Sequence, residues 1–170
     1  QGKTGININD IRISTSSFAS KYDKNKKIIK NSKNLKVVIF THELNDASNS
    51  LGNNFFPDYY EWLNFLVEIS KQTDYDWYIK DHPWYKGKFK LYQPFTYANT
   101  QEVIKKNPKI THLPSDISHH QIINEGVDFI MTVNGDVAFE YAFFNVPALT
   151  ASKNCYSTLY DFNIHSENKE

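Results

Sequence analysis

The chain has 170 residues, and its 19 Lys plus Arg are balanced by 19 Asp plus Glu, so the formal net charge is zero. This length predicts one domain with a sizeable core, and the balanced charge provides no general basic field for nucleic acid. The single Cys155 excludes an internal disulfide framework and a cysteine zinc site. No apolar run reaches about 18 residues and no signal peptide is recognised, so a cytoplasmic protein is the simplest expectation.

The first part of the chain differs in composition from the rest. Residues 1–34 are polar and rich in lysine, and we predict a linker or lead-in there, followed by a domain over residues 35–170. A short edge strand is indicated by alternating isoleucines, namely Ile6, Ile8, Ile11 and Ile13. Because the chain begins with Gln1 rather than methionine, we expect it to be a piece of a longer protein.

From residue 35 onward, short apolar runs alternate with helical patterns. The predicted buried strands are residues 37–40, 77–80, 110–113, 129–133 and 148–151. The predicted helices are one beginning near Pro57 and those over residues 101–106, 118–125 and 137–144. This alternation predicts an α/β fold with three layers, in which a doubly wound parallel sheet is joined by right-handed crossovers.

Several residues are predicted to begin or end these helices. Ser118 and Gln121 have the spacing of a capping box, and Gly126 is suited to a left-handed stop. Asn145 tolerates the same left-handed conformation and is followed by Pro147. The helix after Pro57 carries an apolar stripe at spacings of three and four that we assign to the core, comprising Tyr59, Trp62, Leu63, Leu66 and Ile69.

The stretch from residue 128 to 151 predicts a strand, a tight turn, a short helix and a second strand. Gly135 lets the backbone turn, and Asn134 or Asp136 can cap the helix. In open α/β sheets ligands bind beyond the carboxyl ends of the strands, so the turn at Asn134 and Gly135 is a predicted phosphate site. Glu140 is expected on the exposed side of the helix, where it can accept hydrogen bonds from ribose hydroxyls. The alternative for Glu140 is an ordinary solvated glutamate.

Two further sets of polar residues follow predicted strands. Pro83 biases His82 to extended backbone, so that Lys80 and His82 offer two donors to a phosphate; a structural loop histidine is the alternative. His42 ends the first strand and opens a long polar loop, residues 41–56, that either folds over a ligand or is plain surface.

Other chemistries have little support in the sequence. His119 and His120 are adjacent on a helix and point about 100° apart, so they do not chelate one ion, and we predict no metal site. The glycine-rich fingerprints of dinucleotide and P-loop sites are missing, as is a Gly-x-Ser-x-Gly elbow. Hydride transfer, ATP hydrolysis and serine hydrolysis therefore lose their main support.

Taken together, the Lys-x-His-Pro string at Lys80 and the string from Thr132 to Gly135, followed by Glu140, Tyr141 and Pro147, resemble one protein family. They resemble the donor-binding half of bacterial capsule and surface polysaccharide glycosyltransferases of the GT-B fold, over about residues 35–162. The resemblance implies a Rossmann-like domain in which His82 and the turn at Asn134 and Gly135 contact the donor phosphate. It also implies that Glu140 contacts the ribose.

The same resemblance implies the wider biology of the protein. The chain would be a C-terminal domain that binds a CMP-, UDP- or GDP-linked sugar without an obligatory metal or other cofactor, and that is inactive alone. A polysaccharide or glycolipid acceptor would bind through a further N-terminal domain, in the cytoplasm or at the inner face of the membrane. Peripheral membrane association of the longer protein stays open. Two alternatives also stay open: a non-catalytic flavodoxin-like regulatory or assembly module, and half of a GT-B-fold sugar epimerase.

Overall fold

The computed structural model describes residues 7–8, 11–12, 22–45, 53–82, 94–113, 115–153 and 161–165. The predictions that concern Pro83 and Cys155 lie outside these residues. The described strands are β1 (Asn7–Ile8), β2 (Ile11–Arg12), β3 (Lys36–Phe40), β4 (Asn53–Asn54), β5 (Asp76–Lys80), β6 (Thr111–Leu113), β7 (Phe129–Thr132), β8 (Ala148–Thr150), β9 (Ser152–Lys153) and β10 (Asn163–His165). The described helices are α1 (Tyr59–Lys71), α2 (Pro94–Lys105), α3 (His119–Asn124) and α4 (Val137–Ala142).

Six strands form one parallel sheet in the order β10-β8-β7-β3-β5-β6. Counted along the chain within this sheet, the order is 3-2-1-4-5-6 read from the β6 edge, which is that of a doubly wound Rossmann-like fold. The predicted fold class is therefore confirmed. The direction of winding reverses between β3 and β7, which pair with Val38 opposite Ile130, and this is the topological switch point of the sheet.

Both faces of the sheet are covered, because alternate residues of each central strand point to opposite sides. From β3, Val37 and Ile39 join a core cluster with α1 and α2, while Val38 and Phe40 join a second cluster with residues of α3 and α4. These strands are buried on both faces, which is why their sequences are continuous apolar runs.

The same alternation decides where the last residue of β5 lies. Trp77 and Ile79 belong to the cluster under α1 and α2, and Tyr78 belongs to the cluster under α3 and α4. Lys80 follows Tyr78 at a spacing of two, so its side chain is carried into the interior on the α3 and α4 side, where it is 1% exposed.

The helix ends follow the sequence in part. Asp58 caps α1 by accepting a hydrogen bond from the Glu61 N–H at 2.8 Å, so Pro57 precedes the cap rather than standing inside the first turn. Gly126 (φ 91°) and Asn145 (φ 58°) adopt the left-handed conformation, as predicted. The predicted capping box is wrong, because Ser118 stands at the N-cap of α3 but its side chain makes no capping hydrogen bond.

The partner of that predicted box, Gln121, serves another purpose. Its amide accepts from the Asp23 N–H at 3.0 Å and donates to the carbonyl oxygens of Asp23 and Lys26. Glu125 accepts from the N–H groups of residues 28 and 29 at 2.7 and 2.8 Å, and Ile29 is buried in the core. Residues 22–34, called here the N-terminal segment, thus pack on the domain, while the boundary predicted at residue 35 stays a prediction.

Some elements were not predicted. α2 begins at Pro94, seven residues before the predicted start at residue 101. β10 adds a sixth strand beside β8, and β4 pairs with β9 in an antiparallel ribbon. Of the four alternating isoleucines near the start of the chain, Ile8 lies in β1 and Ile11 in β2, and these two strands pair with each other; Ile6 and Ile13 lie outside the described residues. No helix of the described residues is both long and apolar enough to span a bilayer.

Candidate functional site

The carboxyl ends of β3, β5 and β7 lie side by side and carry most of the predicted site residues. β3 continues into His42, β5 into His82, and β7 into the β7–α4 turn, which is defined as residues 133–136. Because β3 is the strand shared by both neighbours, these residues gather at the switch point, where ligands bind in doubly wound sheets.

His42 joins β3 to the β7–α4 turn through one ring nitrogen. The Val133 backbone N–H donates to His42 Nε2 at 3.0 Å, and Thr132 Oγ1 lies 2.9 Å from the same nitrogen. Burial lowers the pKa of His42, and together with the smaller effect of the nearby His82 it brings the value to about 3. At neutral pH the imidazole is therefore uncharged, with Nε2 as the acceptor and the proton on Nδ1.

Gly135 is required by the close approach of its neighbours. Its N–H donates to Thr132 Oγ1 at 3.3 Å, and a Cβ at this position would lie 2.8 Å from Thr132 Oγ1 and 3.5 Å from His42 Cε1. Only glycine fits this turn without displacing side chains. The sequence-level assignment of Gly135 to a tight turn is thereby explained by contacts rather than by a positive φ.

Tyr59, the first residue of α1, contacts the β7–α4 turn from the other side. Its ring stacks on His42 with centroids 4.3 Å apart and planes at 15°, and its hydroxyl donates to Asn134 Oδ1 at 3.2 Å. Within the described residues, Asn134 Nδ2 is buried and has no hydrogen-bond partner. The turn thus presents one side-chain donor whose acceptor is not supplied by the described protein.

The segment after β5 is held by its backbone and by Asp81. The His82 N–H donates to Thr41 Oγ1 at 2.9 Å, which leaves the half-buried imidazole near enough to His42 to affect its pKa. Asp81 is buried and its Oδ1 lies 2.8 Å from His112 Nε2. The hydrogen bond to Asp81 raises the pKa of His112 above its usual value.

A second group of polar residues lies on the α3 and α4 side of the sheet. We call Lys80, His119 and Glu140 the charged cluster. Lys80 Nζ donates to the Ser115 carbonyl at 3.0 Å, and Glu140 Oε2 lies 3.2 Å from His119 Nδ1. The ring of His119 packs against the rings of Phe40 and Tyr141, which also contact each other. Burial raises the pKa of Glu140 to about 7, although the Lys80 ammonium opposes that rise.

Burial changes the pKa values of His119 and Glu140 in the charged cluster. Burial lowers the pKa of His119 well below its usual value, and Lys80 and His120 lower it further. His119 is therefore neutral at pH 7, and its contact with Glu140 joins a neutral imidazole to a carboxyl group that exchanges its proton near neutrality. A buried carboxyl with such a pKa is found more often at functional sites than elsewhere in a protein.

Two of the sequence expectations need correction here. Glu140 does not lie on the exposed side of α4, since its side chain is only 10% exposed and contacts His119. Lys80 does not face an open phosphate site in the described residues, because its ammonium is buried against Ser115. The Lys80 ammonium lies close enough to Glu140 to lower the pKa of its carboxyl group.

The sequence reasoning also missed residues that shape the site. Thr132, Tyr59 and His119 were assigned to a strand, a core stripe and a non-ligating histidine pair. A strand ending in a hydroxyl residue just before an Asn-Gly turn was the one local signal for Thr132. The contacts of Tyr59 and His119 join residues 75 and 21 positions apart, which no local pattern reveals. Among the described residues no group of three or more His, Cys, Asp or Glu is arranged to hold a metal ion.

Comparison with known proteins gives a fold and no family. No protein-family model and no curated protein matches the sequence. A similar solved structure is the UDP-GlcNAc 2-epimerase of Methanocaldococcus jannaschii in complex with UDP-GlcNAc and UDP, which is 18% identical with a TM-score of 0.51. The match covers 78% of this chain and 34% of the epimerase, so the chain spans about a third of that protein.

A second similar structure is the UDP-GlcNAc 2-epimerase of Neisseria meningitidis bound to UDP-GlcNAc. It is 12% identical, with a TM-score of 0.44, and the match covers 70% of this chain and 27% of the epimerase. The conclusion on fold rests on the sheet order and on the first of the two structures. The chain has the Rossmann-like α/β fold, with a parallel six-stranded sheet flanked by helices.

Proposed function

We propose that the chain is the nucleotide-sugar-binding domain of a glycosyltransferase that makes capsular or surface polysaccharide. The observation that carries the proposal is the meeting of His42, His82 and the β7–α4 turn at the switch point of the sheet. This is where doubly wound folds bind nucleotides. The resemblance of the Lys-x-His-Pro and Asn-Gly strings to donor-binding domains of the GT-B fold supports the choice of ligand.

In this proposal each part of the site meets a different part of the donor. The β7–α4 turn and the His82 imidazole bind the phosphate, since His82 is half-buried at the end of β5. Glu140 accepts hydrogen bonds from the ribose hydroxyls through Oε1, because its Oε2 contacts His119. Lys80 acts on the donor indirectly, by favouring the ionised form of Glu140.

Catalysis would come from stabilising the departing nucleotide phosphate, and we propose that no metal is obligatory. The acceptor, a polysaccharide or glycolipid, would bind to a further domain of a longer protein, so the chain alone binds the donor but does not turn it over. In this proposal nucleic acid is not a partner. The longer protein would work in the cytoplasm or at the inner face of the membrane.

Calorimetric titration with CMP, UDP and GDP, with and without EDTA, tests the proposal. We expect one nucleotide to bind with a Kd in the millimolar range or lower, which corresponds to a favourable binding free energy of about 4 kcal/mol or more. EDTA should leave this affinity unchanged. His82→Ala should weaken binding about ten- to hundredfold, because a hydrogen bond to a charged phosphate is worth about 1.5–3 kcal/mol. His120→Ala is the matched control, since His120 is an exposed histidine. Heat with none of the nucleotides would contradict the proposal.

Half of a sugar epimerase is the second candidate, favoured by the shared fold with the Methanocaldococcus jannaschii enzyme. It predicts the same nucleotide site and a different reaction of the longer protein. Incubating that protein with nucleotide sugars and a saccharide acceptor distinguishes the two, because an epimerase yields an isomeric nucleotide sugar and a transferase yields a glycosylated acceptor and free nucleotide. A regulatory or assembly module would give neither product.

A further inference from the structure

Tyr59 lies between His42 and the side-chain amide of Asn134. It is the first residue of α1, is 3% exposed, and contacts His42 by stacking and Asn134 through its hydroxyl. His42 in turn accepts from the Val133 N–H. One side chain from a helix therefore touches both the residue that fixes the turn and the amide within it.

The hydrogen bond to Tyr59 determines how the Asn134 amide is oriented. Because the Tyr59 hydroxyl donates to Oδ1 at 3.2 Å, Nδ2 faces the opposite way. Nδ2 is buried and has no acceptor within the described residues. A buried N–H group without an acceptor is destabilising, so an oxygen that reaches Nδ2 provides the acceptor that the described residues do not supply.

The neighbours of Nδ2 favour an anionic oxygen. The site lies at the carboxyl ends of β3 and β7, where doubly wound sheets bind the phosphates of nucleotides. Asn134 as a whole is only partly buried, whereas its Nδ2 is covered, so a ligand reaches Nδ2 when the turn shifts. An amide that is already oriented loses less conformational entropy when it binds than one that rotates freely.

We propose that Tyr59 is a positioning residue, whose hydroxyl holds the Asn134 amide so that Nδ2 donates to a phosphoryl oxygen at the β7–α4 turn. The inference rests on the proposed function for the identity of the ligand as a nucleotide. It goes beyond that function by assigning a role to a helix residue that touches no part of the donor. Tyr59 acts through Asn134, whereas Asn134 contacts the ligand.

A double-mutant cycle on the full chain tests this inference. Tyr59→Phe retains the ring that stacks on His42 and removes the hydroxyl, and Asn134→Ala removes the amide. Tyr60→Phe is the matched control, because Tyr60 is the next residue of α1, is partly buried, and has no described bond from its hydroxyl. Binding of the nucleotide found by calorimetry, of its nucleoside without phosphate, and of inorganic pyrophosphate is measured for each variant.

Tyr59→Phe should weaken nucleotide and pyrophosphate binding about three- to tenfold, as expected for one neutral hydrogen bond, and should leave the affinity for the nucleoside unchanged. In the Asn134→Ala background, Tyr59→Phe should have no further effect. Tyr60→Phe should bind like the original chain. Additive losses, an equal loss for the nucleoside, or an unchanged affinity in Tyr59→Phe would each overturn the inference.

The same titrations separate this inference from the proposed function. If the chain binds pyrophosphate but no nucleotide, the proposed function fails while the Tyr59 and Asn134 variants still decide the role of Tyr59. If it binds a nucleotide and the cycle is additive, the proposed function stands and the inference fails. Binding of neither nucleotide nor pyrophosphate overturns both.

Discussion

The two faces of the sheet reach the switch point with different chemistry. On the α1 and α2 side, Tyr59, His42 and Thr132 form neutral hydrogen bonds and a ring stack around the β7–α4 turn. On the α3 and α4 side, the charged cluster buries Lys80 beside Glu140. The first arrangement fixes the geometry of backbone amides, and the second sets whether a carboxyl group is ionised.

The α1 and α2 side therefore determines the geometry of the site, and the α3 and α4 side determines its charge. A neutral network has the same hydrogen bonds over a wide pH range, because His42 does not take up a proton until far below neutrality. Glu140 changes its protonation near pH 7. Since an ionised carboxylate is the better acceptor for ribose hydroxyls, the comparison predicts that the hydrogen bonds of the neutral network vary little between pH 6 and 8, while the contribution of Glu140 to nucleotide binding increases as the pH rises.

Replacing Lys80 by Met tests the charged cluster most severely. The change removes the ammonium from beside Glu140 and the hydrogen bond to Ser115, so we expect a loss of about 2–4 kcal/mol in the free energy of unfolding and a further rise in the Glu140 pKa. Urea denaturation and pH titration of nucleotide affinity measure the two effects. Lys71→Met is the control, because Lys71 forms an exposed pair with Glu68; equal losses in both variants would contradict the comparison.

Gly135→Ala tests the neutral side. The added Cβ would lie 2.8 Å from Thr132 Oγ1, so we expect a stability loss of about 1–3 kcal/mol together with at least tenfold weaker nucleotide binding. Gly126→Ala is the matched control, since nothing lies within 4 Å of its Cβ but its φ is +91°. That variant should lose about 1 kcal/mol and bind normally. Normal binding by Gly135→Ala would argue against the turn as the phosphate site.

The N-terminal segment provides a smaller test on the α3 side. Glu125 accepts from the N–H groups of Ile28 and Ile29, so Glu125→Gln should cost about 1–2 kcal/mol and speed amide exchange at Ile28 and Ile29. Glu102→Gln, an exposed change on α2, is the control. Unchanged exchange at these two amides would show that the segment does not depend on Glu125.

The smallest expected effect concerns pH and His112. Asp81 raises the pKa of His112 in the folded protein above its reference value of 6.5, so the folded state binds the proton more tightly than the unfolded chain. The pair therefore stabilises the fold fully below pH 6.5, and this contribution is lost as the pH rises through the folded pKa. His112→Asn should remove this pH-dependent contribution to stability, which is less than about 1 kcal/mol because His112 is half-exposed. An unchanged slope in thermal melts at pH 6 and 8 would exclude the pair as its source.

Much of the fold could be predicted because buried parallel strands have a local signature. The strands β3, β5, β7 and β8 were found within a residue or two, since each is a short and mostly apolar run, and β6 was found because Ile110 precedes it and Leu113 ends it. β10 was missed because Asn163, Ile164 and His165 contain one apolar residue. The order of strands in the sheet could not be predicted from such runs, because pairing joins residues far apart in the chain.

The site was less predictable because its electrostatics are not local. Gln121 was predicted to cap its own helix, but its amide bonds to residues 95 and 98 positions earlier. Glu140 was expected to be exposed, and its burial depends on His119, 21 positions away. Asn145 was placed correctly, since its left-handed conformation is a property of its own backbone, whereas Gly135 was predicted from its turn but is required by the close approach of Thr132 and His42.

The ribbon of β4 and β9 has a consequence for how a ligand reaches the sheet. Asn54 pairs with Ser152, and the Phe55 N–H donates to the Ala151 carbonyl at 3.1 Å. The chain leaving β3 is thus joined to the chain leaving β8, with β7 between them. Because these hydrogen bonds join the two connections, we expect a ligand that binds above β7 to change the exchange rate of the Phe55 amide.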